Sequence, residues 1–203
     1  MAYKGVKFET IIEKYEIPHH DKLEELKAWC RIFHEQKLAP SYPGGSYGNL
    51  SFRTKGNEFI ITGTKIGLKD RLEDDCFVMV VGVELEKRLV RVYGTREPSS
   101  ETLLHYAIYT ARADVNAVFH GHALPDTKLN IPTTRKEAPY GSVGLVDLVL
   151  EILEHNSFII MKNHGFISLN SSLEKTGSYC LEMLRKAKLQ AGDSSSYNHQ
   201  LPA

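Results

Sequence analysis

The sequence predicts an α/β fold, a mixed and mostly antiparallel sheet between helical layers. Two observations predict it. Hydrophobic periodicity changes along the chain in the order helix, several strands, helix, strand, helix, strand, helix. The size also fits: 203 residues, 42% hydrophobic and 25% charged, make one globular domain over 1–203. A chain of this length buries about 70% of its unfolded surface and needs no disulfide to fold.

The first helix begins at Asp21, with Leu23, Leu26, Cys30 and Phe33 at three- and four-residue steps and Trp29 widening the stripe. Asp21 followed by Glu24 gives a cap-like start, and Pro40 with Pro43-Gly44-Gly45 ends it. Leu50 to Thr54 and Glu58 to Thr62 flank Gly56-Asn57, which is a hairpin signal. Cys76 to Leu85 and Leu89 to Tyr93 read as two more strands around a charged turn at Glu86-Lys87. Pro98-Ser99-Ser100-Glu101 opens a second helix to about Arg112, where serine can cap and Glu101 favours the positive end of the dipole. Asn116 to His122 is a strand, Val143 to Glu154 a helix, and Ser157 to Met161 a strand. A last helix runs from about Ser172 to Gln190, so the core spans about 21–190 and a polar tail follows at 193–203.

Charge and composition exclude several functions. Lys plus Arg total 25 and Asp plus Glu total 25, so the chain lacks the positive field of a sequence-independent nucleic-acid binder. Three widely spaced cysteines, Cys30, Cys76 and Cys180, make neither a disulfide framework nor a Cys-x-x-Cys knuckle, which favours a reducing compartment. The start carries no apolar signal region, and the longest apolar stretch, Phe77 to Val83, is far short of a bilayer span. A soluble cytoplasmic protein with no membrane partner is expected.

The sharpest chemical feature is Phe119-His120-Gly121-His122. Residues at i and i+2 of a strand share a face, so both imidazoles enter one space and suit a divalent transition metal. Polar packing or a surface pair would give the same spacing. Lys162-Asn163-His164-Gly165 places a third histidine at a break between strands, where glycine permits a sharp turn toward the first pair. Three ligands with an open position is the pattern of a catalytic zinc site, although a turn histidine satisfied by backbone fits equally. Glu101 is an acid–base candidate beside such a metal, or simply a residue that stabilises a helix dipole. Gly44 to Asn49, Thr62-Gly63-Thr64-Lys65 and Ser99-Ser100 each offer donors to an anion, and none is a nucleotide P-loop.

Taken in order, Gly48-Asn49-Leu50-Ser51, Ile61-Thr62-Gly63-Thr64, Pro98-Ser99-Ser100-Glu101, Asn116 to Ala123 and Asn163-His164-Gly165 resemble the class II aldolase/adducin family, over roughly Leu23 to Leu189. The resemblance implies a three-layer αβα sandwich, usually a homotetramer with sites between subunits. It implies Zn2+ on His120, His122 and His164, with Glu101 as acid–base and a further ligand in the resting enzyme. It assigns the phosphate of a small phosphorylated sugar to Asn49, Thr64, Ser99 and Ser100, and Lys65 adds a cation where the family often has glycine. The implied reaction is lyase chemistry: a ketose 1-phosphate, fuculose phosphate-like, gives dihydroxyacetone phosphate and an aldehyde through a metal-stabilised enediolate. Relatives on the same scaffold dehydrate methylthioribulose 1-phosphate or epimerise pentulose phosphates, and adducin heads are non-enzymatic. The tyrosine that protonates the aldehyde product in such enzymes has no counterpart between His122 and Pro139-Tyr140, so that role is unassigned.

Overall fold

Phe59-Ile60-Ile61, Val118-Phe119 and Phe158-Ile159-Ile160-Met161 are apolar at consecutive positions, as strands covered on both faces require. The computed structural model, which describes residues 5–122, 124 and 128–191, places them so. In chain order the elements are β1 (Glu9–Lys14), α1 (Leu23–Glu35), β2 (Ser41–Tyr42), β3 (Gly45–Ser46), β4 (Asn49–Arg53) and β5 (Phe59–Thr62). There follow β6 (Phe77–Glu84), β7 (Leu89–Tyr93), α2 (Thr102–Ala111), β8 (Ala117–Gly121), α3 (Val143–Leu150), β9 (Phe158–Met161), β10 (Gly165–Asn170) and α4 (Leu173–Ala191). The expected tail at 193–203 lies outside the described residues.

Eight strands form one sheet in the order β1-β7-β6-β5-β4-β8-β10-β9. The β1–β7 pair is parallel and every other pair in that sheet is antiparallel. Alternate side chains go to opposite faces. Phe59, Ile61, Val118, Ile159 and Ile167 pack against Leu104 and Ile108 of α2 and Leu145 and Val149 of α3. Leu50, Phe52, Ile60, Phe119 and Phe166 pack against Leu26, Trp29 and Phe33 of α1 and Leu173 and Leu184 of α4. Each of these large side chains contributes about 1.5–3 kcal/mol by leaving water. The result is the three-layer αβα sandwich, and no described helix is long and apolar enough to cross a membrane.

Several boundaries differ from the sequence reading. Strand β1 precedes Asp21 and joins the sheet edge, and β2 pairs with β3 as a small hairpin where a plain loop was expected. Helix α1 starts at Leu23 with Lys22 in the cap position, and no side chain caps it, Asp21 included. Helix α3 ends at Leu150, earlier than Glu154, after a true cap in which Ser142 Oγ accepts from Leu145 N.

Candidate metal centre

Antiparallel pairing assembles the site at one end of the central strands. On β8, His120 stands opposite Asn49 of β4 on one side and Ile167 of β10 on the other. His122 follows the end of β8, and its N–H donates to Leu38 O at 2.9 Å. His164 occupies the turn between β9 and β10, its N–H donating to Met161 O at 3.0 Å. Asn163 of that turn is left-handed (φ +57), and Gly165 also has a positive φ (+158). Gly165 serves close approach as well, since a Cβ there would collide with the Gly121 carbonyl.

The three rings converge. One ring nitrogen of each lies within 4.8 Å of those of the other two, and His120 Nε2 is 2.9 Å from His122 Nε2. The rings of His120 and His164 stack at 5.1 Å. His120 Nδ1 is 2.8 Å from Phe166 O, and a carbonyl only accepts, so Nδ1 carries the proton. That leaves Nε2 as a lone pair facing its neighbours, the arrangement of a metal-ligating imidazole. Burial, then the neighbouring rings of His122 and His164, hold the His120 pKa well below its ordinary value. Burial, then His164 and Lys69, bring His122 to about 3. Neutral imidazoles are the ligating form. Tetrahedral bonds of about 2.0–2.1 Å set ligand nitrogens roughly 3.3 Å apart, the scale of this cluster, so the donor set fits a divalent ion.

Glu101 sits in the cap position of α2 and is almost fully buried. Gly141 N donates to its Oε1 at 3.3 Å, and His164 Nε2 faces the same oxygen at 3.3 Å without hydrogen-bond alignment. Burial raises the carboxyl pKa, but His164, His120 and the Gly141 N–H outweigh it and hold it below the usual value. Gly141 has φ +61, and a Cβ there would lie 2.6 Å from Ser100 O, so glycine is required at this anchor. The buried atoms Glu101 Oε2 and Asn49 Oδ1 have no hydrogen-bond partner among the described residues. Unpaired buried polar atoms are costly, and their gathering around three imidazoles suits a bound polar group.

The three anion-binding candidates are woven together. Ser99 N donates to Thr62 O at 3.1 Å, and Leu50 N to Thr62 Oγ1 at 3.3 Å. Ser99 Oγ accepts from Glu101 N at 3.4 Å, which ties this segment to the carboxylate. Ser100 and Thr64 are half-buried, while the Lys65 side chain is exposed. The structure brings two further residues to the site. The Tyr47 ring lies 4.7 Å from that of His122, bringing a tyrosine to the cluster from the strand side. Lys69 is buried beneath Ser46 and Tyr47 and bonds both. Tyr47 was legible as part of the Gly44–Asn49 loop, whereas no local pattern marks Lys69.

A family described as the class II aldolase and adducin N-terminal domain matches residues 24–130, just over half of the chain. The chain belongs to the class II aldolase and adducin family. An L-fuculose phosphate aldolase of Methanocaldococcus jannaschii is 32% identical over 171 residues, 75% of this chain and 86% of that protein. A 5-methylthioribulose-1-phosphate/5-deoxyribulose-1-phosphate aldolase of Escherichia coli O45:K1 is 30% identical over 172 residues, 75% of each chain. The solved sugar-phosphate aldolase of Thermotoga maritima superposes with a TM-score of 0.70 over 85% of this chain and 94% of that one, at 14% identity. That last likeness is one of fold. As a class II aldolase family member with aldolase relatives, the chain is a lyase.

Proposed function

We propose that the chain is a zinc-dependent aldolase that cleaves a short ketose 1-phosphate, fuculose phosphate-like, to dihydroxyacetone phosphate and an aldehyde. The observation that carries this reading is the convergence of His120, His122 and His164 beside a buried carboxylate, one of whose oxygens has no partner among the described residues. A divalent ion held by the three histidines would supply a Lewis acid for the ketone and neighbouring hydroxyl oxygens.

The protein's own groups do the rest. Gly141 and His164 face Oε1 of Glu101, which leaves Oε2 to exchange a proton with substrate. The lowered pKa keeps Glu101 ionised at neutral pH, ready as the base. Burial of His120 and Glu101, with His122 and His164 partly open, gives substrate an entrance from one side and excludes water from the other. Asn49, Thr64, Ser99 and Ser100 take the phosphate, with Lys65 at its rim. Aldolases of phosphorylated ketoses among the relatives support the substrate class. Free Cys30, Cys76 and Cys180 agree with a cytoplasmic setting. The working form in this reading is a homotetramer, and sedimentation equilibrium finding only monomer contradicts that part.

The test incubates metal-loaded protein with a panel of ketose 1-phosphates and identifies products by mass. Dihydroxyacetone phosphate with an aldehyde is the expected result, and Glu101→Gln should lower the rate by at least about a hundredfold with metal content unchanged. A ketose phosphate that loses water with its carbon skeleton intact replaces the aldolase reading with a dehydratase.

A further inference from the structure

Lys69 is 1% exposed, a rare setting for a lysine without a counter-ion. Its Nζ contacts Ser46 Oγ at 2.8 Å, Tyr47 O at 3.1 Å and Ser46 O at 3.4 Å. These three acceptors are uncharged and call for three hydrogens, so the group is an ammonium here. Among the described residues no carboxylate bonds it. The titratable groups that face it are Cys30, Cys76 and His122. Burial draws its pKa down to about 8, which leaves it mostly charged at neutral pH. The molecule therefore keeps an uncompensated positive charge inside its wall.

The position of that charge is specific. All three bonds reach the segment just before Asn49, and Ser46 Oγ donates onward to Gly67 O at 2.6 Å. Lys69 and Ser46 thus stitch the Gly44–Asn49 loop to the segment that follows Thr64. In a trans peptide the C=O and N–H point in opposite directions. With the Tyr47 carbonyl turned to Lys69, the Gly48 N–H points away from it, the direction an anion across the loop needs. Lys65, adjacent to Thr64 in sequence, is exposed and left-handed (φ +55).

We propose that Lys69 is the fixed cation of the phosphate subsite, a positioning residue that shapes Ser46–Asn49 for a phosphate monoester and balances its charge through the loop. This rests on the function proposed above and deepens it. The low-dielectric wall between the charges strengthens their attraction relative to water. It also gives Ser46 and Tyr47 a reason to spend their carbonyls on a buried ammonium.

The experiment uses the metal-loaded full chain and calorimetric titration with inorganic phosphate and, separately, uncharged dihydroxyacetone. Lys69→Met should weaken phosphate binding at least about tenfold, with Lys69→Arg between it and the wild type. Metal stoichiometry and dihydroxyacetone binding should be unchanged, and Lys65→Ala should shift phosphate binding less than Lys69→Met does. Lys69→Gln carries the same expectation, so a failure of the methionine variant to fold leaves the test intact. Variants that bind phosphate like the wild type overturn the inference, as do variants that lose phosphate and dihydroxyacetone binding equally. So does a wild type without phosphate affinity. A wild type that binds phosphate in this Lys69-dependent way, yet cleaves no ketose phosphate, overturns the proposed function alone.

Discussion

His105 and His120 are both fully buried, both held neutral and both anchored through Nδ1, yet they belong to different kinds of place. His105 Nδ1 meets Ser51 Oγ at 2.7 Å, and Ser51 Oγ meets the Tyr109 hydroxyl at 2.7 Å, a polar thread inside the α2 layer. His120 Nδ1 meets a backbone carbonyl, and its other nitrogen points at two further imidazoles. Burial and a depressed pKa are common to both and so identify neither. Convergence of lone pairs separates a candidate metal centre from a buried structural histidine.

The comparison breaks most sharply at the metal. His120→Ala should drop bound divalent metal below about a tenth of an equivalent and turnover by about a thousandfold, because Lewis-acid stabilisation is worth several kcal/mol. His105→Phe should keep near one equivalent, and elemental analysis of both proteins measures the contrast. Equal metal content in the two would erase the distinction.

Gly141→Ala gives a smaller effect. The added Cβ meets Ser100 O in a left-handed backbone and displaces the N–H that holds Glu101 Oε1. Turnover should fall roughly ten- to a hundredfold, the scale of a misplaced catalytic group. Metal content should stay at the wild-type level, which separates loss of aim from loss of the ion.

The smallest effect sharpens the structural side of the comparison. Burial lowers the His105 pKa from 6.5 to about 3. Below pH 6.5 the unfolded chain takes up a proton that the folded protein refuses. This contribution is therefore fully present above pH 6.5 and lost progressively as pH falls toward 3. His105→Phe should cost about 1–3 kcal/mol at pH 7.5 by leaving Ser51 one partner short. Its stability should then decline less steeply than the wild type's between pH 6.5 and 5, read from urea unfolding at each pH. A parallel decline would assign the acid sensitivity to other groups.

Much of this was legible in sequence because the signals are local. His120 and His122 share a face through the two-residue period of a strand, and Glu101 opens a helix through the Pro98-Ser99-Ser100 start. The layers follow from apolar runs such as Phe59-Ile60-Ile61. That His164 meets the other two depends on β10 returning beside β8, which spacing alone does not contain and family resemblance supplied. Lys69 was invisible because its burial arises when the segment after Thr64 folds beneath β3, a tertiary event. Strand β1 carries no local signal, because Ile11 and Ile12 are adjacent, without alternation, and its partner is distant.

That distance bears on how the chain is made. Glu9 pairs with Leu89, so β1 waits eighty residues for its partner, about 4–16 s at a synthesis rate of about 5–20 residues per second. The delay has a protective side. When β7 completes its hairpin with β6, its open edge is the kind of surface on which a neighbouring nascent chain adds a strand. The segment that covers this edge has by then already been synthesised, and it lies parallel, in a register a second hairpin would not supply. The growing sheet can be closed on that side from its own past, without waiting for anything still to be translated.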